Sequence, residues 1–213
     1  MESEPLDLFG DDSDWSPIAS GRAELTLARE PSPHGRALRL DFDFKGGGGF
    51  VVARRPLARA MPESWALALR IRGAAPANKL ELKLVDPSNR NVWWWHRDAF
   101  EFPADWQPLR IRSSEVAFAW GPAGGGPLRE LGAIEIAIAA PPGGRGTVWL
   151  EDLRLEDLTL REPPRVRASS AAAGHSAEQA IGNDATTCWR SHPGATPNGS
   201  PSTSAPNTNT AAS

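Results

Sequence analysis

Apolar and polar residues alternate along residues 1–162 in short runs that are separated by glycine, proline, asparagine and aspartate. In residues 36–44, Leu38, Leu40, Phe42 and Phe44 share one face, and charged residues occupy the other. The same period recurs in residues 65–72, 79–84, 109–112, 133–138 and 148–155. A period of two is typical of half-buried strands. The pattern predicts roughly eight to ten strands, and only residues 128–131 suggest a helical turn.

These strands have no crossover helices between them, so they are expected to pair antiparallel. Strands with one apolar face each need two packed sheets to bury it. The sequence therefore predicts an all-β fold, an antiparallel β-sandwich of the jelly-roll type, over residues 1–162.

The composition changes near residue 165. Residues 168–213 contain 37 Ala, Ser, Thr, Gly, Pro or Asn among 46 positions. Such a segment cannot bury enough apolar surface to offset its ordering entropy, which predicts disorder. We expect a linker that starts at Pro163-Pro164 and runs into a short stub up to residue 192, and then a disordered tail over residues 193–213.

The segment 86–98 carries three consecutive tryptophans. Residues 86–91 are turn formers, which predicts a hairpin of strands 79–85 and 92–97. On a strand, Trp93 and Trp95 face one side and Trp94 and His96 face the other. One side of a sandwich sheet faces solvent, so at least one of these rings is expected to point outward, and the polarity of His96 favours the Trp94 side. Exposed aromatic rings in a polar surround stack on sugar rings, whereas a ring covered by a loop only contributes packing.

Four other tryptophans, at positions 65, 106, 120 and 149, lie within or at the ends of alternating runs, and we interpret them as core or core-rim residues. The acidic cluster Asp11–Asp14 is consistent with either calcium ligation or a solvated turn, and Glu151 and Asp152 join it only if the terminal strands are adjacent. Glycine runs 46–49 and 124–126 lack the context of a phosphate loop and read as loops or bulges.

Charge and cysteine content exclude several classes of function. The chain has 23 basic and 26 acidic residues, a net charge of −3, and no apolar run long enough for a membrane helix. A mildly acidic chain does not favour nucleic acid or anionic membrane as a partner. The single cysteine, Cys188, excludes an internal disulfide and a cysteine-built zinc site. The N-terminal residues as written match no secretory signal, so the compartment stays open.

Nothing in the sequence predicts catalysis. No G-x-S-x-G motif occurs, the four histidines are scattered, and most acidic residues fall on outward strand positions. We therefore expect a chain that is not an enzyme. We assign it no cofactor, and a structural calcium ion is left open.

A set of motifs spans residues 6–160. It comprises Leu8-Phe9-Gly10 with Asp14-Trp15, residues 38–42, residues 82–87 leading into residues 91–94, residues 100–103 with 105–107, residues 118–122 with 124–126, and residues 146–153. Together they resemble the galactose-binding-like jelly-roll modules that precede other domains in bacterial polysaccharide-active proteins. The resemblance implies a carbohydrate-binding module and a parent protein outside the cell or in the periplasm. The last strand of such modules often carries an acid that helps to hold calcium, and Glu151 stands there.

A second set of motifs lies in residues 166–192: Ala168-Ser169-Ser170, residues 180–184 and residues 187–191. They resemble the opening of a discoidin domain (coagulation factor 5/8 type C). The match departs from that family at Gly182-Asn183, where Asp-Gly is usual, and the strands that would complete the domain do not follow. The resemblance implies a truncated or frameshifted product of a larger secreted protein; the alternative is a short protein with a disordered tail.

The leading hypothesis is a non-catalytic module that holds a polysaccharide or oligosaccharide by tryptophan stacking on a sheet face or at a rim, as part of a larger polysaccharide-degrading protein. The predicted ligand-binding residues are Trp93, Trp94, Trp95, His96 and Arg97, of which one or two tryptophans make the contact. We expect a monomer with no nucleic-acid or membrane partner. The alternatives are a structural spacer or docking domain without a ligand and, third, a hydrolase.

Overall fold

The computed structural model describes residues 2–10, 14–159, 170–175 and 190. The chain divides into two units, residues 1–160 and 161–213. In the second unit, the amide of Ala172 donates to the carbonyl oxygen of Arg190 at 2.9 Å, and the amide of His175 donates to that of Ala172 at 3.0 Å. The predicted linker, the discoidin-like stub and the predicted tail otherwise lie outside the described residues, so those predictions stay untested.

The described part of the first unit contains twelve strands and one 3-10 turn. The strands are β1 (Glu2–Asp7), β2 (Ser16–Ala19), β3 (Glu24–Ser32), β4 (Gly35–Asp43), β5 (Phe50–Ala60), β6 (Trp65–Ala74), β7 (Asn78–Val85), β8 (Val92–Phe100), β9 (Gln107–Arg112), β10 (Ala117–Trp120), β11 (Glu130–Ala139) and β12 (Arg145–Asp157). The 3-10 turn is Ser113–Glu115. Residue 131, which the sequence suggested for a helical turn, lies in β11.

The strands form two six-stranded antiparallel sheets. Sheet A has the order β3-β4-β12-β6-β9, with β1 also paired to β12, and sheet B has the order β10-β8-β7-β11-β5-β2. The predicted all-β antiparallel sandwich is therefore confirmed. It has more strands than expected because β1, β2 and β10 are short and show little apolar alternation. None of the described helical segments is long and apolar enough to cross a membrane.

The core between the sheets is built from the apolar members of the alternating runs. Sheet A contributes Leu38, Leu40, Phe42, Leu67, Ile71, Val148 and Leu150, and sheet B contributes Leu80, Leu82, Leu84, Ile134, Ile136 and Ile138, all of them buried. Removal of this apolar surface from water is the main force that stabilises the sandwich.

The hairpin that carries the three consecutive tryptophans forms as predicted, with β7 paired to β8. Asp86 organises its turn by accepting hydrogen bonds from the Ser88 hydroxyl, the Asn91 side chain, and the amides of Arg90 and Asn91. Burial alone would raise the pKa of Asp86, but the hydrogen bonds from Asn91, Ser88 and the backbone lower it to about 2. The turn also packs against β11, because a Cβ at Gly132 would lie 2.6 Å from the Cα of Pro87.

A buried carboxylate fixes the N-terminal strand to the sandwich. Asp7 accepts hydrogen bonds from the amide of Phe9 at 2.6 Å and from the indole nitrogen of Trp15 at 2.5 Å. Its second oxygen also lies 2.9 Å from a guanidinium nitrogen of Arg55, on β5 of the other sheet. Asp7 therefore ties β1 to both the following segment and sheet B.

Candidate functional site

Strand β8 displays one of its three consecutive tryptophans. Trp93 and Trp95 are 7% and 6% exposed and lie in the core, whereas Trp94 is half-buried and faces outward. His96 is exposed on the same face as Trp94. The sequence favoured the side of Trp94 and His96 as the solvent-facing side of this strand, and the structure has the same orientation.

Trp120 lies beside Trp94 on the edge strand β10. It is 49% exposed, and its ring centroid is 6.1 Å from that of Trp94 at an interplanar angle of 75°. The interpretation of Trp120 as a core or core-rim residue is therefore wrong. A register shift between Phe118 and Trp120 pairs Trp120 with Val92, so that the ring points outward although Phe118 points inward. Such a bulge reverses the side of the sheet on which the following residue lies.

The remaining tryptophans of that group divide between the core and the opposite sheet. Trp65 is buried in the core as expected. Trp106 and Trp149 are half-buried and both lie against Arg72, whose guanidinium carbon is 5.3 Å and 4.2 Å from their ring centroids. This arginine covers aromatic surface on sheet A by a cation–π arrangement.

A charged row on β7 borders the outward aromatic pair. Glu81 is buried, and its carboxylate oxygens lie 3.3 Å from the Lys79 ammonium and 2.9 Å from the Lys83 ammonium. Lys79 also lies 4.7 Å from the ring centroid of Trp94, and Lys83 lies 5.8 Å from that of Trp120. The chain has only three lysines, so two of the three stand at this place.

The outward side chains become smaller from β7 to the neighbouring part of β11 in sheet B. In the strand register, Glu81 lies opposite Ala137, and Lys79 lies opposite Ala139. On β5, beyond these small residues, Phe50 is 41% exposed. The outer face of sheet B thus has tall aromatic and charged side chains on β7, β8 and β10. On β11 it has Glu135, which pairs with Arg54, and the small residues Ala137 and Ala139, and on β5 it has an exposed ring.

The two polar residues predicted for the site have different surroundings. The His96 ring packs on Trp94, with centroids 4.5 Å apart and an interplanar angle of 48°. The guanidinium carbon of Arg97 lies 5.2 Å from the ring centroid of Trp95, so Arg97 covers a core residue at the sheet edge. The structure therefore brings His96 together with Trp94 and leaves Arg97 on the other side of the strand.

No described set of three or more His, Cys, Asp or Glu residues has the geometry to hold a metal ion. Of the acidic cluster considered for calcium, Asp11 and Asp12 lie outside the described residues. Glu151 is buried, and one of its carboxylate oxygens lies 2.7 Å from Nδ1 of His34 and 3.0 Å from Nε of Arg70. Glu151 thus already has a nearby cation, which does not favour a calcium ion there.

No family model matches this sequence, and no curated protein matches it. Solved structures with the same fold include the family 11 carbohydrate-binding module of the cellulosomal cellulase Lic26A-Cel5E of Clostridium thermocellum, at 12% identity and a TM-score of 0.59, covering 76% of this chain and 98% of that one. A family 11 module from Clostridium thermocellum in complex with a β-1,3-1,4-mixed-linked tetrasaccharide gives 13% identity and a TM-score of 0.60, covering 73% and 95% of the two chains. The agarase AgWH50C gives 10% identity and a TM-score of 0.51, covering 76% of this chain and 26% of the enzyme.

At these identities the likeness shows the fold. The predicted jelly roll of the kind found in carbohydrate-binding modules is confirmed.

Proposed function

We propose that the first unit is a carbohydrate-binding module that holds a polysaccharide on the outer face of sheet B. The observation that carries this proposal is the pair of outward rings, Trp94 and Trp120, set nearly at right angles beside a row of charged side chains. Trp120 offers an exposed apolar surface, and Trp94, against which His96 and Lys79 lie, forms the adjoining wall. The two rings together form a corner against which a sugar ring can pack.

The charges beside the rings fit a neutral glycan. Lys79, Glu81 and Lys83 form an ion-paired row, and Arg54 pairs with Glu135 in the same outer face. Asp98 lies 3.7 Å from the Lys79 ammonium, so three cations stand close to three carboxylates and the face has little net field. It still offers ammonium donors and carboxylate acceptors, which suit hydroxyl groups that both donate and accept hydrogen bonds.

The set of residues proposed to contact the sugar therefore differs from the set proposed from the sequence. Trp94 and His96 stay in the proposed contact set, and Trp120 and Lys79 join it. Trp93 and Trp95 act from the core, where they hold β8 in place, and Arg97 covers Trp95. We propose a module without catalytic activity that forms part of a larger polysaccharide-active protein. A known tetrasaccharide complex of the same fold supports the ligand class.

Native affinity electrophoresis of the full chain against soluble plant, fungal and bacterial polysaccharides tests this proposal. We expect retardation by one class of polysaccharide, and a loss of at least ten-fold in affinity, or about 1.4 kcal/mol, for Trp94→Ala and for Trp120→Ala. Trp106→Ala is the matched control, because it removes a half-buried ring from the opposite sheet and leaves the proposed face intact.

Stability measurements separate loss of contact from loss of fold. Trp120→Ala removes a half-exposed ring and is expected to lower the free energy of unfolding by about 1–2 kcal/mol, whereas Trp95→Ala opens a core cavity and costs about 3–5 kcal/mol. Retardation that survives both Trp94→Ala and Trp120→Ala would contradict the proposed face. No retardation by any polysaccharide would instead favour the structural spacer.

A further inference from the structure

A cavity of about 750 Å³ opens between the two sheets at one end of the sandwich. It lies where the β5–β6 connection, the 3-10 turn with β10, and residues 126–129 meet. Aromatic side chains of Trp65, Trp93 and Phe118 line it, and Glu63, Ser113 and Arg129 contribute polar groups. Its volume falls within the range of roughly 300–1,000 Å³ that is usual for small-molecule sites.

The buried part of the cavity is aromatic, and the indole N–H of Trp93 in it is already hydrogen-bonded within the protein. Trp93 and Phe118 pack edge to face, with centroids 5.3 Å apart. The indole nitrogen of Trp93 donates to the carbonyl oxygen of Gly126 at 2.7 Å, so only its carbon skeleton is left to contact a ligand. A buried, rigid aromatic wall of this kind packs well against the C–H surface of a sugar ring.

The exposed part of the cavity carries one charge of each sign. Glu63 and Arg129 are both exposed, and their charges balance at neutral pH. Together with the hydroxyl of Ser113 they supply both donors and acceptors. For an anion the attraction of Arg129 is offset by the repulsion of Glu63, and for a cation the reverse holds, so this combination favours a neutral ligand whose hydroxyl groups can bond to both residues.

The glycine run of the segment that closes the cavity has open space where side chains would point. Gly124, Gly125 and Gly126 all have positive φ, and a Cβ at any of them would meet no atom within 4 Å. A second cavity of about 370 Å³ lies against the same segment and shares Trp93 and Arg129 with the first. Residues 123–129 therefore run between two cavities, and space exists on both sides for the segment to shift around a bound group.

We propose that this end cavity is a second binding site, which takes the terminal sugar residue of a neutral glycan. It lies on the inner side of β8 and β10, whereas Trp94 and Trp120 lie on the outer side. The sheet face would hold the interior of a chain, and the end cavity would hold a chain end. The ligand class rests on the proposed function, but the site and the residues do not.

The test uses the full chain, labelled with ¹⁵N, and methyl glycosides of glucose, galactose and xylose as probes. Nuclear magnetic resonance reports the indole N–H signals, which identify each tryptophan separately. We expect one glycoside to shift the Trp93 indole signal saturably, because that N–H bonds to Gly126 in the closing segment. Glu63→Gln and Arg129→Gln should each weaken this binding about ten-fold, as expected for a lost hydrogen bond to a charged group.

Matched controls locate the effect. Glu101→Gln and Arg22→Gln remove exposed charges elsewhere and should leave the affinity unchanged, as should Trp94→Ala. No saturable shift of Trp93 with any glycoside would overturn the end site, and so would a shift that Glu63→Gln and Arg129→Gln leave unchanged or that Trp94→Ala abolishes. Polysaccharide retardation that depends on Trp94 tests the sheet face separately, so either site can fail while the other stands.

Discussion

Two acidic residues of β1 offer a direct test of how burial determines the contribution of an ion pair to the free energy of unfolding. Asp7 and Glu4 lie on the same strand, and each pairs with an arginine of β5, Arg55 and Arg59 respectively. The side chain of Asp7 is 2% exposed, whereas that of Glu4 is 47% exposed. The perturbation is the replacement of each acid by alanine.

The expected magnitudes follow from the contacts. Asp7→Ala removes hydrogen bonds from Phe9 and Trp15, and each hydrogen bond to a charged group contributes about 1.5–3 kcal/mol. It also leaves Arg55 without its carboxylate, although the carbonyl oxygen of Leu6 still accepts from that guanidinium. We expect a loss of about 3–4 kcal/mol in the free energy of unfolding. Glu4→Ala breaks an exposed pair and should cost less than about 1 kcal/mol.

Urea unfolding followed by tryptophan fluorescence measures both changes. With a slope of about 2–3 kcal/mol per molar urea, Asp7→Ala should lower the midpoint by about 1–2 M and Glu4→Ala by less than about 0.5 M. A double-mutant cycle of Asp7→Ala with Arg55→Ala then isolates the pair from the other two bonds. Equal costs for Asp7→Ala and Glu4→Ala would refute the reasoning that burial makes Asp7 a structural anchor.

Two further changes test the turn that positions β8. Because the pKa of Asp86 falls from 3.8 to about 2 on folding, its ionised form stabilises the protein above about pH 4, and this stability is lost as the pH falls towards 2. Asp86→Asn should therefore cost on the order of 1–2 kcal/mol at pH 7, after allowance for partial solvent screening, and should flatten the unfolding free energy between pH 4 and pH 2. Gly132→Ala forces a Cβ against the backbone of Pro87 and should lower stability by about 1–3 kcal/mol in urea unfolding, whereas Gly48→Ala, which meets no atom within 4 Å, should change it little.

The sandwich could be predicted because its central strands obey a strict period of two. Leu38, Leu40 and Phe42 are identified as one face by spacing alone, and the structure buries all three. Burial of one face per strand requires two sheets, so the layer architecture follows from the same count. The order of strands within each sheet does not follow, because many pairings of similar amphipathic strands bury the same area.

The outward orientation of Trp94 could be predicted from the sequence because the features that determine it are local. Period two places it with His96, and an imidazole is costlier to bury unpaired than an indole. Asp86 and its neighbours mark the turn, which fixes where β8 begins. Both signals lie within about ten residues of the ring, a range over which sequence pattern and turn chemistry determine conformation.

The outward orientation of Trp120 could not be predicted from the local sequence pattern. Alternation from Phe118 places Trp120 on the inner side, and the structure reverses this through one extra residue, Ala119, in the pairing with β8. A bulge is decided by the partner strand, which lies more than twenty residues earlier in the chain, so no local pattern encodes it. The end cavity has the same origin, since pairing between distant strands is what brings Glu63 near Arg129. The residues that extend the candidate site beyond Trp94 are thus those whose placement depends on long-range register.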